Sequence, residues 1–230
     1  MTLRWAIWPR LAYDDAVALQ ARLVDARRAG AADCVIATEH APVVTLGRRA
    51  GVDDCVLSEA ELARRGVAVR RTERGGLATY HGPGQLALYP IVDLRALGVR
   101  RFVALLEAAA LAVVEAAGLR GTTRAGTPGV WVGEAKVAAV GVRVARGISS
   151  HGVAINLGGD LTPFTWIHPC GVPGGVAGAL DQLGGRRLGL EEAAAIAVAH
   201  LAGGLGVSTE LVMPAALDSS PEPLGAARGR

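Results

Sequence analysis

Lys136-Val137-Ala138-Ala139-Val140-Gly141-Val142-Arg143-Val144-Ala145-Arg146-Gly147-Ile148-Ser149-Ser150-His151-Gly152-Val153-Ala154-Ile155-Asn156 reads as two strands folded back on each other. The runs 137–144 and 151–157 are rich in small and β-branched residues, and Arg146-Gly147 between them supplies the turn. The same texture recurs outward from this hairpin. Strands are predicted at 3–8, 34–38, 43–46, 67–70, 77–80, 86–92 and 130–132, several of them separated by glycine-rich turns. Helices are fewer. Asp14 or Asp15 caps one that runs to Arg28 before Gly30, and Ser58-Glu59-Ala60-Glu61 has the spacing of a capping box for a short one ending near Gly66. Longer helices are predicted over 101–117 and 191–201. Few helices among many hairpin-like strand pairs argue for an α+β (mixed α/β) domain, not a regular βαβ array. A single domain over 1–213 accommodates the pattern, and residues 214–230, rich in Pro, Ser, Gly and Ala, read as a disordered tail.

Composition narrows the class. The chain has 230 residues, 51% of them hydrophobic, with a mean hydropathy of +0.33, enough for a substantial core. No run approaches the about 20 uninterrupted apolar residues of a membrane helix. The longest candidate, 102–118, carries Glu107 and Glu115 and reads as a buried helix. Met1-Thr2-Leu3-Arg4-Trp5 has no signal-peptide character, so the expected location is cytoplasmic. Cys34, Cys55 and Cys170 form no CxxC pair and are expected as free thiols. The net charge of +3 is scattered over arginine pairs and only 4% of residues are aromatic. That is a poor match to nucleic-acid binding and suits docking of an acidic protein. Nothing in the sequence demands more than a monomer.

Three segments carry polar groups that a plain core does not need. Among 24 basic side chains Lys136 is the single lysine, set in a small apolar run that would bury its amine. A desolvated lysine can lose its proton near neutral pH, whereas an arginine does not. Arg74-Gly75-Gly76-Leu77-Ala78-Thr79-Tyr80-His81-Gly82-Pro83-Gly84-Gln85 sets polar side chains among glycines that let the backbone approach a ligand. His151 is either a satisfied core histidine or a site group, and Asn156 reads as a structural hydrogen-bonder. Ile167-His168-Pro169-Cys170-Gly171 fixes a cysteine between proline and glycine, where its thiol can be presented. Cys34 lies in an apolar strand and Cys55 beside aspartates, so Cys170 is the best nucleophile of the three. His168 and Cys170 lack zinc-ligand spacing, and no metal is expected.

These segments resemble the lipoyl(octanoyl) transferases, which are octanoyl-acyl-carrier-protein:protein N-octanoyltransferases. The resemblance is carried by the Arg-Gly-Gly, Thr-aromatic-His and Gly-Gln pattern from Arg74 to Tyr89, and by Glu39-His40, Pro42, Thr45 and Gly47. Lys136 to Arg143, His151 to Asn156, and Asp160-Leu161 through Pro169-Cys170-Gly171 complete it, in order, over roughly residues 5–200. It implies the fold of the catalytic domains of biotin and lipoate ligases, with a mixed, mostly antiparallel sheet flanked by helices. It also implies an acyl-enzyme mechanism with Cys170 as nucleophile and Lys136 as its partner. The implied substrate pocket is formed by Arg74, Gly75, Gly76, Leu77, Ala78, Thr79, Tyr80 and His81, with Ala139, Val140, Gly141, Gly152, Val153 and Ala154. The implied partners are octanoyl-acyl carrier protein, lipoyl domains of 2-oxoacid dehydrogenase complexes and the glycine-cleavage H protein. One departure stands out. The Thr-Ser pair that family members usually carry after Pro-Cys-Gly is absent from Val176-Ala177-Gly178-Ala179-Leu180.

On this reading an octanoyl group passes from acyl carrier protein to Cys170 and then to a lysine of a lipoyl domain. A thioester already carries an activated acyl group, so neither ATP nor another cofactor is expected. Backbone N–H groups at Gly171 or Gly75-Gly76 are the expected oxyanion donors. The alternatives are a lipoate- or biotin-type ligase forming an acyl-adenylate, a cysteine thioester hydrolase using His81 or His151, and a non-catalytic carrier-binding module.

Overall fold

The computed structural model describes residues 2–51, 54–168 and 176–218. In chain order the elements are β1 (Thr2–Trp8), α1 (Tyr13–Arg28), β2 (Cys34–Thr38), β3 (Val43–Leu46), α2 (Glu59–Arg64), β4 (Ala68–Arg71), β5 (Ala78–His81) and β6 (Gln85–Ile91). There follow α3 (Val99–Ala116), β7 (Thr122–Arg124), β8 (Thr127–Val132), β9 (Ala135–Ala145), β10 (Ile148–Asn156), α4 (Leu190–Leu205), β11 (Ser208–Leu211) and α5 (Pro214–Asp218).

The hairpin expected at 136–156 forms as β9 and β10, in register from Ile148 opposite Ala145 to Ile155 opposite Ala138. Arg146 and Gly147 have φ of +52° and +85°, the positive pair that a two-residue type I′ turn requires. It sits inside an eight-stranded sheet of order β11-β1-β2-β6-β10-β9-β8-β7. The pairings of β1 with β11 and β2 are parallel and the others antiparallel, which is the mixed, mostly antiparallel sheet expected. A second sheet, β4-β3-β5, holds the glycine-rich segment.

Period-two alternation divides the large sheet between two cores. Val35, Ala37, Leu86, Leu88, Val153 and Ile155 pack under α3 and α4 with Phe102, Leu106, Val113 and Leu201. Ile36, Ala87, Tyr89 and Ile148 face the other way, against Leu19 and Leu23 of α1 and Leu217 of α5. A third cluster under the small sheet joins Val44, Leu46, Leu62, Tyr80 and Ile167.

Three expectations are corrected. Residues 214–218 are not a disordered tail: they form α5, because Leu217 is buried, Arg4 donates to the Ala216 carbonyl, and Arg22 pairs with Asp218 at 2.9 Å. Residues 219–230 lie outside the described residues. Helix α1 begins at Tyr13 with no side-chain cap, so Asp14 and Asp15 lie in its first turn. Helix α4 runs through Gly203-Gly204 to Leu205 and ends at Gly206 in the left-handed region, and at Gly204 a side chain would collide with Leu105 of α3. The capping box at Ser58 and Glu61 is present as predicted.

Gly152 marks the tightest crossing in the sheet. A Cβ there would overlap the Leu88 carbonyl oxygen and come within 2.8 Å of Pro90 Cδ. Gly152→Ala is therefore expected to destabilise the protein by about 2 kcal/mol through overpacking. Equilibrium denaturation of the two proteins measures this, and equal midpoints would contradict the close approach.

Candidate functional site

A cavity of about 530 Å³ lies where the small sheet meets β9 and β10. That size falls within the range of small-molecule sites. One wall is Ala139, Val140, Gly141 and Val142 of β9 with Gly152, Val153 and Ala154 of β10. Facing it are Arg74 to Thr79 and His81, with Lys136, Tyr13, Arg49, Tyr89, Val103, His151 and the turn Gly126-Thr127-Pro128 completing the lining.

The small sheet is fastened to the large one at a few points. Gly75 N–H donates to the Val142 carbonyl at 2.9 Å, and Gly141 lacks a Cβ where one would stand 3.0 Å from the Gly75 oxygen. Arg74 is buried, and its guanidinium donates to the Thr45 hydroxyl and carbonyl and to the Gly75 and Leu77 carbonyls. Those bonds make it a clamp on the loop, although it also borders the cavity. A Cβ on Gly47 would lie 2.5 Å from the Gly76 oxygen, and Glu39 accepts from Gly84 N–H. The second sequence motif therefore holds the first in place.

Of the predicted pocket residues, Tyr80 alone turns away from the cavity. Alternation along β5 puts Tyr80 with Ala78 on the face away from Thr79 and His81, and the longer Tyr80 side chain carries its ring to Phe164, which it meets edge-on with centroids 5.5 Å apart. Gly75 is also unsuited to the expected oxyanion role, because its N–H is committed to Val142. Tyr13, Arg49, Tyr89, Val103 and residues 126–128 line the cavity without having been predicted to. Tyr89 was within reach, since it closes the Arg74-to-Tyr89 pattern. Tyr13 gave no local signal.

Three histidines form a neutral cluster. His40 Nδ1 lies 2.7 Å from the Leu11 carbonyl, which can only accept, so Nδ1 carries the proton. Nε2 then accepts from the Tyr89 hydroxyl at 2.7 Å. Burial lowers the His40 pKa. Burial, and secondarily the nearby His40, push His81 down to about 3. Burial and then Arg74 and Arg143 push His151 down to about 4. His151 also has φ +55°, with its N–H donating to Gln20 Oε1 at 2.6 Å. Burial raises the phenol of Tyr13 to about 12 and that of Tyr89 well above its usual value. The histidines and phenols of the lining, His81, His151, Tyr13 and Tyr89, are thus uncharged at neutral pH.

Lys136 is half-buried and its ammonium lies 4.7 Å from the centroid of the Trp131 ring. A register shift between Val130 and Trp131 sets Trp131 opposite Lys136. Gly129, at φ +146°, leaves room for the lysine chain: a Cβ there would stand 2.6 Å from Lys136 Cε. The backbone of Lys136 is held on both sides, by Val176 O at 2.8 Å and by Gly178 N–H at 3.0 Å. Cys170, the expected nucleophile, lies outside the described residues. The other two cysteines are free thiols unsuited to nucleophilic work. Burial, and then Asp33, push Cys34 up to about 12, and burial with Asp54 and Glu59 raises Cys55. Among the described residues no group of His, Cys, Asp and Glu is arranged to hold a metal, and no helix is long and apolar enough to cross a membrane.

Comparison with known proteins agrees with this layout. Residues 12–202 match the lipoyl protein ligase A/B catalytic domain. An octanoyltransferase of Xanthomonas euvesicatoria pv. vesicatoria is 43% identical over 188 residues, spanning 81% of this chain and 78% of that protein. One from Methylococcus capsulatus is 46% identical over 167 residues, 72% of this chain and 78% of its own. Among solved structures, a lipoate-protein ligase A bound with ATP superposes with a TM-score of 0.77 at 13% identity, over 95% of this chain and 91% of that one. The biotin protein ligase of Aquifex aeolicus gives 0.51 at 13% identity, over 90% and 70%. At such identities the likeness to the ligases is one of fold.

Proposed function

The chain belongs to the octanoyltransferase family, built on the lipoyl protein ligase A/B catalytic domain, and from that premise we propose that it passes an octanoyl group to a lysine of a lipoyl domain through a thioester on Cys170. The donor in this reading is octanoyl-acyl carrier protein. The acceptors are lipoyl domains of 2-oxoacid dehydrogenase complexes and the glycine-cleavage H protein, and the setting is the cytoplasm. One observation carries the reading: the single lysine of the chain borders a largely apolar cavity of about 530 Å³, and its backbone is hydrogen-bonded to Val176 and Gly178, in the segment that follows Cys170 in sequence.

The Cys170 thiolate attacks the thioester carbonyl, forming a new carbon–sulfur bond. The bond to the phosphopantetheine sulfur breaks, and that sulfur takes a proton from the Lys136 ammonium. The neutral amine of the acceptor lysine then attacks the enzyme thioester. The amide forms, the Cys170 thiolate leaves, and Lys136 receives the proton of the new amide nitrogen. Thiolate and ammonium are thereby restored. The acyl group arrives activated, so the cycle requires no ATP and no metal. Ala139, Gly141, Gly152 and Ala154 keep the cavity wall free of bulk where an alkyl chain would lie.

Intact mass spectrometry after mixing with octanoyl-acyl carrier protein alone tests the proposal. A hydroxylamine-labile octanoyl adduct is expected on the wild type and none on Cys170→Ser. An adduct elsewhere, or octanoyl-adenylate formed from ATP and free octanoate, would defeat it.

A further inference from the structure

We infer that Gln85 and Asn156 are positioning residues for the transfer reaction: their side-chain amides form one hydrogen-bonded line that sets the proton position on His81 and anchors the segment holding Lys136. The inference rests on the proposed octanoyl transfer.

Each link can be assigned a direction. Gln85 Nε2 donates to the Tyr80 carbonyl at 3.1 Å and to Asn156 Oδ1 at 2.8 Å. Asn156 Nδ2 donates to the Gly178 carbonyl at 2.9 Å. A backbone carbonyl only accepts, so Tyr80 and Gly178 fix which way both amides face. Gln85 must then present its oxygen to His81 Nδ1, 2.6 Å away, and that nitrogen must carry the hydrogen. Burial keeps the His81 ring neutral, which leaves Nε2 as an acceptor on a side chain that lines the cavity.

At the far end, Gly178 N–H donates to the Lys136 carbonyl. Imidazole, Gln85 and Asn156 therefore donate in the same sense as far as the Gly178 carbonyl, an arrangement in which each bond polarises the next, and the neighbouring Gly178 N–H carries the fastening on to Lys136. Asn156 grips the segment a second time, because its carbonyl accepts from Leu180 N–H at 3.0 Å. No hydroxyl side chain occurs in Val176 to Leu180, so these backbone links do the fastening among the described residues.

Both amides are buried, and apolar side chains in their place would leave the Tyr80 and Gly178 carbonyls and His81 Nδ1 unpaired, so the line contributes to stability as well. What apolar groups cannot provide is direction. The amides fix one tautomer at the cavity wall and one placement for the segment 176–180 beside Lys136, joining strands β5, β6 and β10 to the chain that follows Cys170.

Two experiments test the inference. In [15N]histidine-labelled wild-type protein, His81 is expected as the neutral Nδ1–H tautomer from pH 5 to 8; an Nε2–H form or an imidazolium in that range overturns it. Asn156→Asp removes the donor to Gly178, and Gln85→Glu removes the donor to Asn156 while keeping an oxygen toward His81. In folded variants kcat for transfer should fall about 10- to 100-fold with KM for octanoyl-acyl carrier protein little changed. A kcat at the wild-type value, or a loss confined to KM, overturns the inference alone. A wild type that forms no Cys170 adduct overturns the transfer reading and this inference with it. If neither variant folds, the wild-type tautomer decides.

Discussion

Lys136→Arg is expected to lower octanoyl transfer about a thousandfold while the fold is retained, a loss in the range assigned to a positioned general acid–base. The substitution keeps a positive charge and keeps the backbone links to Val176 and Gly178. It alters two other things. The lysine chain threads past Gly129 to set its ammonium over Trp131, and a longer, planar guanidinium would have to displace one or the other. An arginine also stays protonated. In the proposed cycle the first half-reaction needs a cation beside the thiolate, and the second needs a base for the amine proton. The two should therefore separate in Lys136→Arg: adduct formation on Cys170 slows, and amide formation on the lipoyl domain is nearly abolished. Rapid-quench mass spectrometry of each half-reaction measures both. Amide formation at near the wild-type rate would show that Lys136 moves no proton.

The sequence made the central hairpin readable because 136–156 combines small and β-branched runs with a glycine at a position of positive φ. Edge strands β7 and β11 escaped because every side chain in them is exposed and no alternation marks them. Helix α5 escaped because its one buried residue, Leu217, is anchored by α1, some two hundred residues earlier. The site divided along the same lines. Pocket residues lying within one continuous segment were legible, and Tyr80 was misplaced because a loop motif does not say which face of a strand each residue takes. Arg74 was legible as important but not as a clamp, since its partners at Thr45 are known only once the two strands pair. Tyr13 enters from the start of α1, and only the packing of that helix brings its ring to 5.9 Å from His81.

Acid should destabilise the protein early, with about 4 kcal/mol lost between pH 7 and pH 5. His81 and His151 titrate near 6.5 when unfolded, but in the folded state burial holds them at about 3 and about 4. A histidine whose folded pKa is depressed is neutral in the native protein, whereas the unfolded chain takes up a proton below about pH 6.5. The unfolded state then binds more protons, so stability falls as pH drops through that value and continues falling toward the folded pKa. Each of the two histidines contributes about 2 kcal/mol of this loss by pH 5, and His40 acts in the same direction. Asp14, Asp93 and Asp160 have carboxyls lowered by hydrogen bonds to Arg70, Arg95 and Thr162, respectively, so they stay ionised in this interval and cannot cause the loss. At the alkaline side the sign is reversed for Cys34 and Tyr13. Both are held protonated up to about 12, so above pH 9 the unfolded chain gives up protons first and stability falls again. The plateau should therefore lie near pH 7 to 8.5, with a melting temperature about 8–16 °C lower at pH 5. Denaturation curves at half-unit pH steps measure this. Equal stability at pH 7 and pH 5 would mean that these histidines are not buried as neutral rings.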